Sequence, residues 1–269
     1  MNKPEAILSK AKNAGSLDQR ISENLAGQSI DLVEWIFERL TIPADARILE
    51  VCCGTGGQTI RFLDKITEAG HVVAVDMSGE ALDTLKAKVE DGDHSKVTLV
   101  ESDMDALPQA LAQAGPQAAK FDLAFCAYGL YYSKTPVHVL ETIFRRLNAG
   151  GSIFIVGPYG PNNGPLFELV EESGVTIPSF VRYTSQDFMC DQVIPWSTRV
   201  FETVSIHTVV NSIQWDSPER VLNYWRNSTF FDPDKLQAMK KNVADHFDTH
   251  ECFRNEKWIM MVEMKNARR

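Results

Sequence analysis

Three carboxylates in the first half of the chain fall at or near the end of short apolar runs. They are Glu50 in Ile48-Leu-Glu-Val51, Asp76 closing Val72-Val-Ala-Val-Asp76, and Asp103 soon after Val97-Thr-Leu-Val100. A carboxylate at the carboxyl end of a strand can accept hydrogen bonds from both hydroxyls of a ribose, and one beside a tight turn can hold an ammonium. Glu50 leads directly into Cys52-Cys53-Gly54-Thr55-Gly56-Gly57, a run of small residues with a Gly-x-Gly turn. Ile60, Leu63 and Ile66 follow at helical spacing, and Gly70 closes the run. The order reads as a buried strand, a turn, and a helix whose first N–H groups face a crevice. Glycine at the turn lets a ligand approach the backbone, where a side chain would block it.

Elements that would position these residues recur along the chain. Ile30, Val33, Ile36, Phe37 and Leu40 mark a helix face, and a strand over about 46–52 follows. His71–Val75 is a second strand; Ser78 can cap a helix carrying Ala81, Leu82, Leu85 and Val89. Val97–Val100 and Phe121–Cys126 are the third and fourth strands. Thr135-Pro136 starts a helix with Val139, Leu140, Ile143, Phe144 and Leu147 on its buried face. Gly150-Gly151 is expected to stop that helix before a fifth strand, Ser152–Val156. Short apolar strands alternating with amphipathic helices imply a doubly wound, mostly parallel α/β sheet, which binds ligands beyond the carboxyl ends of its strands. After Gly157 a stretch rich in proline, glycine and asparagine leads out of this pattern. Strands over 204–210 and 258–264 and helices over 218–227 and 233–247 are expected beyond it.

Two cofactors compete for the turn. A dinucleotide-binding unit would also place an acid about 20 residues beyond it, as Asp76 lies. Against that reading, Gly54-Thr-Gly56-Gly-Gln-Thr59 lacks the third glycine, Glu50 sets a negative charge before the loop, and Asp103 adds a third acid after a third strand. The stretch from Ile48 to Gly57 resembles motif I of the class I S-adenosylmethionine (SAM)-dependent methyltransferases, with cysteine in place of the first glycine. The resemblance implies that Glu50 lies under the methionine part of SAM near its amino group. It implies that Cys52, Cys53, Gly54 and Gly56 pass along the same part, and that Asp103 approaches the adenine amino group. Met77 and Met104 would flank the adenine ring. Phe121–Tyr132 resembles motif IV of small-molecule methyltransferases related to the ubiquinone/menaquinone C-methyltransferases and the malonyl carrier O-methyltransferases, which would border the cofactor with Cys126 and Ala127. In Arg146-Leu-Asn-Ala-Gly150-Gly151, Asn148-Ala149 departs from the family's Lys-Pro-Gly-Gly. The resemblance covers residues 45–157.

What it implies overall is a Rossmann-like seven-stranded sheet, mostly parallel with the last strand antiparallel, under a helical cap from C-terminal insertions. Residues 1–45 would be an N-terminal helical arm, 46–157 the SAM-binding core, and 158–269 the cap with the last two strands. The implied function is methyl transfer from SAM to a small-molecule acceptor, catalysed mainly by positioning. The alternatives are an NAD(P)-dependent oxidoreductase and a non-catalytic SAM-binding partner subunit. On the acceptor side, Tyr131 and Tyr132 at the rim and Tyr224, Trp225 and Arg226 on a later helix suit a flat or acidic small molecule; packing and anchoring roles are equally open to them. No catalytic base is assigned.

Composition narrows the partners. A formal net charge of −9 and no basic block beyond Lys265–Arg269 disfavour nucleic acid, whose binding depends on Lys and Arg. No apolar run reaches the roughly 18 residues that would cross a bilayer, and Met1–Glu5 starts no secretory signal. Five irregularly spaced cysteines read as reduced thiols in a cytoplasmic protein, with no metal site expected.

Overall fold

The computed structural model describes residues 14–268. Residues 1–13 of the expected arm, and Arg269, lie outside the described residues.

Seven strands are formed: β1 Arg47–Val51, β2 His71–Asp76, β3 Val97–Glu101, β4 Phe121–Ala127, β5 Leu147–Pro158, β6 Phe201–Trp215 and β7 Phe253–Ala267. They make one sheet in the order β3-β2-β1-β4-β5-β7-β6, mostly parallel with antiparallel end strands. β1 pairs with β2 and β4, β2 with β3, and β4 with β5, all parallel. The central strands are apolar on both faces, as parallel strands covered by helices must be. Ile48, Leu49, Val72, Val73, Ala74 and Ala124 are completely buried. Strand order reverses between β1 and β4, the position where open α/β sheets leave a crevice. Register brings Val51 of β1 beside Val75 of β2 and Cys126 of β4. Three strand ends therefore open onto one place.

The described helices are α1 Ala14–Gly27, α2 Leu32–Phe37, α3 Gly57–Leu63, α4 Gly79–Lys88, α5 Leu107–Gln113, α6 Pro136–Arg145, α7 Gly164–Glu172, α8 Ser179–Gln186, α9 Ile194–Val200, α10 Pro218–Arg226 and α11 Leu236–Phe247. The chain forms two compact units. One holds the described residues up to Trp35 with Pro158–Phe188 and Thr208–Ile259. The other holds Ile36–Gly157, Met189–His207 and the residues from Met260 onward. In the larger unit, Phe62 of α3 packs edge-on against Phe125 at 5.4 Å and against Phe37 at 4.9 Å, fixing the helix after the first turn to the sheet. In the other unit Trp215 is fully buried, stacks on Phe253 at 6.0 Å and donates from Nε1 to the Glu23 carbonyl at 3.1 Å, which ties α1 to β6.

Several expected boundaries move. Helix α6 ends at Arg145, and Gly150-Gly151 lies inside β5 instead of stopping the helix. The pairing of β4 with β5 jumps from Phe121–Leu147 to Leu123–Ser152, so Asn148–Gly151 form a bulge. Asn148 Nδ2 donates to Asp122 Oδ1 at 2.7 Å there, and Gly150 takes a φ of 79°, a conformation suited to glycine. Strands β6 and β7 each reach 15 residues, about twice the expected 204–210 and 258–264; exposure partly alternates along β6, and β7 extends polar ends on both sides of a buried run. Among the described residues no helix is long and apolar enough to cross a membrane.

Candidate functional site

The site grows from the end of β1. Glu50 is buried, only 2% exposed, and Thr59 on α3 donates its hydroxyl to Glu50 Oε2 at 2.6 Å. Burial pushes the Glu50 carboxyl up to about 8; the Thr59 hydrogen bond opposes this and the charge of Asp76 adds to it. An unligated Glu50 is therefore largely protonated at neutral pH, and an ammonium beside it would draw out the proton.

After Val51 the chain turns sharply. Cys52 adopts a φ of 62°, a left-handed conformation that costs a residue with a Cβ about 1 kcal/mol or more. Cys53 is buried and donates its N–H to the Val75 carbonyl at 3.1 Å, stitching the turn onto β2. Burial and the nearby charges of Glu50 and Asp76 push its thiol well above the usual range. The hydrogen bond to Cys126, with burial, does the same to Cys52, whose Sγ lies 3.9 Å from Met104 Sδ. Such thiols stay protonated and unreactive. All five cysteines are free, and among the described residues no group of three His, Cys, Asp or Glu side chains could hold a metal.

The two turn glycines do different work. Gly54 has a φ of 54° and no atom within 4 Å of where a Cβ would stand, so its face is open to a ligand. Gly56 has a φ of 85°, and a Cβ there would stand 2.2 Å from Leu85 Cδ1, so it is glycine to let α4 pack against the turn. Gly54 N–H donates to Asp76 Oδ2 at 2.8 Å, and Ser78 N–H donates to Asp76 Oδ1 at 2.9 Å. Two amides on one edge orient the carboxylate. Each oxygen keeps a lone pair for a diol, and Asp76 and Met77 are half-exposed. Ser78 caps α4 through the Ala81 N–H at 3.2 Å, so Asp76 is not spent on that helix.

Asp103 is exposed and accepts the Asp105 N–H at 2.9 Å, ordering a short turn over Met104–Ala106 that buries Met104. Cys126 is buried and Ala127 half-exposed at the end of β4. Beyond them Gly129 lies so close to the first turn that a Cβ would stand 2.3 Å from Cys52 Cβ. Tyr131 and Tyr132 follow in a short turn, both half-exposed, with ring centroids 4.7 Å apart. Glu50, the turn, Asp76, Met77, Asp103, Met104, Cys126, Ala127 and both tyrosines all belong to one unit.

Tyr224, Trp225 and Arg226 belong to the other unit, on α10. Trp225 is completely buried and meets Phe231 edge-on at 4.9 Å, a core position. Arg226 pairs with Glu219 of its own helix at 2.6 Å. Tyr224 is buried, and Lys257 Nζ donates to its hydroxyl at 2.6 Å. His207 lies on β6, 3.5 Å from Glu263, and His138 is exposed in the first turn of α6.

Asp105 was not legible as a site residue. Its carboxylate accepts from the Ser133 hydroxyl, from the Lys134 N–H at 2.9 Å and from the Thr135 hydroxyl at 3.2 Å, joining the loop after β3 to the loop after β4. Burial alone would raise its carboxyl; the hydrogen bonds from Ser133, Lys134 and Thr135 outweigh that and hold it below the ordinary range. The only trace in the sequence is the Ser-Lys-Thr-Pro helix start that needs an acceptor.

Residues 48–151 match the family described as methyltransferase domain. A demethylmenaquinone methyltransferase from Lactococcus lactis subsp. lactis is 29% identical over 109 residues, 40% of this chain and 40% of that protein. Another, from Lactobacillus johnsonii, is 28% identical over 148 residues, 54% of this chain and 57% of its own. The chain thus spans about half the length of the curated relatives it matches. The solved structure of the YcgJ protein from Bacillus subtilis superposes with a TM-score of 0.60 at 13% identity, covering 88% of this chain and 98% of that one, which is a likeness of fold. With the reversal of strand order at β1 and β4 and the turn built on Cys52–Gly56, these matches identify residues 48–151 as a class I SAM-dependent methyltransferase domain.

Proposed function

We propose that the chain transfers a methyl group from SAM to a small-molecule acceptor. The observation that carries this reading is the Gly54–Asp76 pair: an open glycine whose N–H aims a carboxylate, next to a buried glutamate that lacks a cation. The donor set suits the cofactor at each of its parts. Glu50 would take the ammonium and Asp76 the ribose hydroxyls. Met77, Met104 and Asp103 would take the adenine, and the backbone of Cys126 and Ala127 the methionine chain. Two acids also suit a sulfonium cation better than a pyrophosphate. When bound, SAM supplies an activated methyl and a neutral thioether leaving group. The protein's part is to align the acceptor and exclude water. Tyr131 and Tyr132 lie in the loop beyond β4 and support an aromatic wall for an acceptor.

The small-molecule acceptor is supported by the named chemistry of the relatives, which methylate demethylmenaquinone, and by the net charge of −9, which is unfavourable to nucleic acid. Five free cysteines support a reducing, cytoplasmic setting. Calorimetric titration with SAM and with S-adenosylhomocysteine tests the reading: saturable binding of both is expected. Absence of both heats, with binding of NADH seen by its fluorescence, would replace it with the oxidoreductase reading.

A further inference from the structure

The sheet ends at β3, beyond β2, and the register between the two runs unbroken from Val97 to Glu101. Where the apolar residues of β1 and β2 are buried, Val97, Leu99 and Val100 are half-exposed. Ser102 N–H donates to the Asp76 carbonyl at 2.9 Å, so Thr98 and Val100, in step with Ser102, bond inward to β2. Alternation along a parallel ladder then turns the N–H and C=O groups of Val97, Leu99 and Glu101 outward. Among the described residues no strand receives them. Natural sheet edges are blunted by proline, lysine, a bulge or a covering element. Val97-Thr-Leu-Val-Glu101 has no proline, no lysine and no bulge.

A groove of about 650 Å³ lies along this edge. One wall is a single face of α4, with Leu82, Asp83, Lys86 and Val89 at helical spacing. The other is one face of β3, with Val97, Leu99 and Glu101, and His94 joins it from the turn before Val97. A Cβ on Gly79, the first residue of α4, would stand 2.9 Å from Glu101 Oε2. Helix α4 therefore runs from Glu101 back toward Val97. A helix rises about 1.5 Å per residue and a strand about 3.3 Å, so Lys86 lies about 10 Å from Gly79, level with Thr98. The groove is acidic from Asp83 to Glu101 and basic from Lys86 to His94. All four side chains are exposed, and among the described residues none of them makes a hydrogen bond or ion pair. Asp93, close to His94 in sequence, is taken by Lys96 at 2.6 Å.

We propose that this edge pairs antiparallel with the same edge of a second copy of the chain, about a two-fold axis through Leu99. A two-fold contact needs a surface complementary to itself. Centring on Leu99 sets Leu99 against Leu99 and Val97 against Glu101 of the second copy. These are the residues whose backbone groups point outward, and only this register gives all three of them partners. The axis stands perpendicular to the sheet, so both α4 helices lie on the same side of the joined sheet. It carries Lys86, level with Thr98, to the level of Val100 in the second copy, next to Glu101 there. The basic half of each groove thus meets the acidic half of the other. A foreign strand could complete the ladder, but the chain itself already carries the charges in the matching order. A seam of five residues is short against the roughly 20–30 residues a side of a standard interface, and a net charge of −9 makes two copies repel at long range. The dimer is therefore expected to be weak, with a dissociation constant on the order of micromolar. All of its elements belong to one unit, and no cofactor enters the argument.

Sedimentation equilibrium of the full chain, without cofactor and over a wide range of concentration, tests the pairing. A reversible monomer–dimer equilibrium is expected. Leu99→Pro removes the outward N–H at the axis, where an edge strand tolerates proline, and should abolish the dimer while circular dichroism stays native. Lys86→Glu and Glu101→Lys, both at exposed positions, should each weaken the dimer about tenfold or more by setting like charges together. An equimolar mixture of these two variants should recover the wild-type affinity, because each half of the seam again joins opposite charges. A wild type that stays monomeric at every concentration overturns the proposal and leaves the edge to another protein. A dimer that survives both charge reversals unchanged, or two variants that stay monomeric when mixed, overturns it equally. Should Leu99→Pro fail to fold, the charge-reversed pair still decides. SAM calorimetry keeps the two readings apart: a dimer without SAM binding sinks methyl transfer alone, and SAM binding by a strict monomer sinks this proposal alone.

Discussion

Replacing Glu50 by glutamine isolates the electrostatics of the site. Glutamine keeps an oxygen for the Thr59 hydroxyl that now donates at 2.6 Å, and it removes only the titration. In the wild type the carboxyl rises from 4.5 to about 8 on folding. The folded state then binds the Glu50 proton more tightly than the unfolded chain, so this group's contribution is intact below pH 4.5 and is lost as pH rises through 8. At about 1.4 kcal/mol per pH unit, the stability lost relative to acid pH, as the unfolded chain gives up this proton and the fold keeps it, is on the order of 3 kcal/mol at pH 7 and about 5 kcal/mol above pH 9. Urea unfolding of both proteins from pH 5 to pH 9 measures the difference. Glu50→Gln should gain on the wild type steadily up to about pH 8 and then hold that lead. Parallel curves would refute the burial argument. The same linkage acts on the cofactor. If an ammonium draws out the Glu50 proton, SAM binding near pH 6.5 must release close to one proton, read as a dependence of the binding heat on buffer ionisation enthalpy. Glu50→Gln should release none and bind more weakly.

Other perturbations have equally definite outcomes. Asp76→Asn sets an amide N–H against the N–H of Gly54 or Ser78 and should weaken SAM binding by about 10- to 100-fold, corresponding to the roughly 1–3 kcal/mol of a lost charge-assisted hydrogen bond, measured by calorimetry. Gly129→Ala puts a Cβ 2.3 Å from Cys52 Cβ and should destabilise the fold by about 1–3 kcal/mol in urea; Cys52→Gly in the same chain should restore most of it, since it removes the obstructing atoms and relieves the φ of 62°. Asp105→Asn should flatten the acid limb of the stability curve, because a carboxyl held low in the folded state loses its contribution as pH falls through its folded value; an unchanged limb would show that another group dominates there.

The sequence was most readable where local chemistry and tertiary structure agree. The strand–turn–helix around Cys52–Gly56, the Ser78 cap and the buried runs of β2 and β4 all follow from patterns within a dozen residues. Reading failed where a residue answers to something distant. Gly150-Gly151 looked like a helix stop, but a bulge opposite Asp122 needs them. At Gly56 the turn pattern did not show that Leu85, nearly 30 residues on, also forbids a side chain. Asp105 serves a helix start 28 to 30 residues later, and Lys257 meets Tyr224 across 33 residues. Trp225 and Arg226, grouped with Tyr224 by adjacency, diverge by helical geometry: one faces the core and the other pairs with Glu219.

The decisive measurement is a calorimetric titration of the full chain with SAM, run beside Asp76→Ala in two buffers at pH 6.5. Saturable binding with a dissociation constant on the order of micromolar, proton release near one, and a clear loss of affinity in the variant are expected. Absence of binding by the wild type, or equal affinity and no proton release in both proteins, would contradict a SAM site built on Glu50, Gly54 and Asp76.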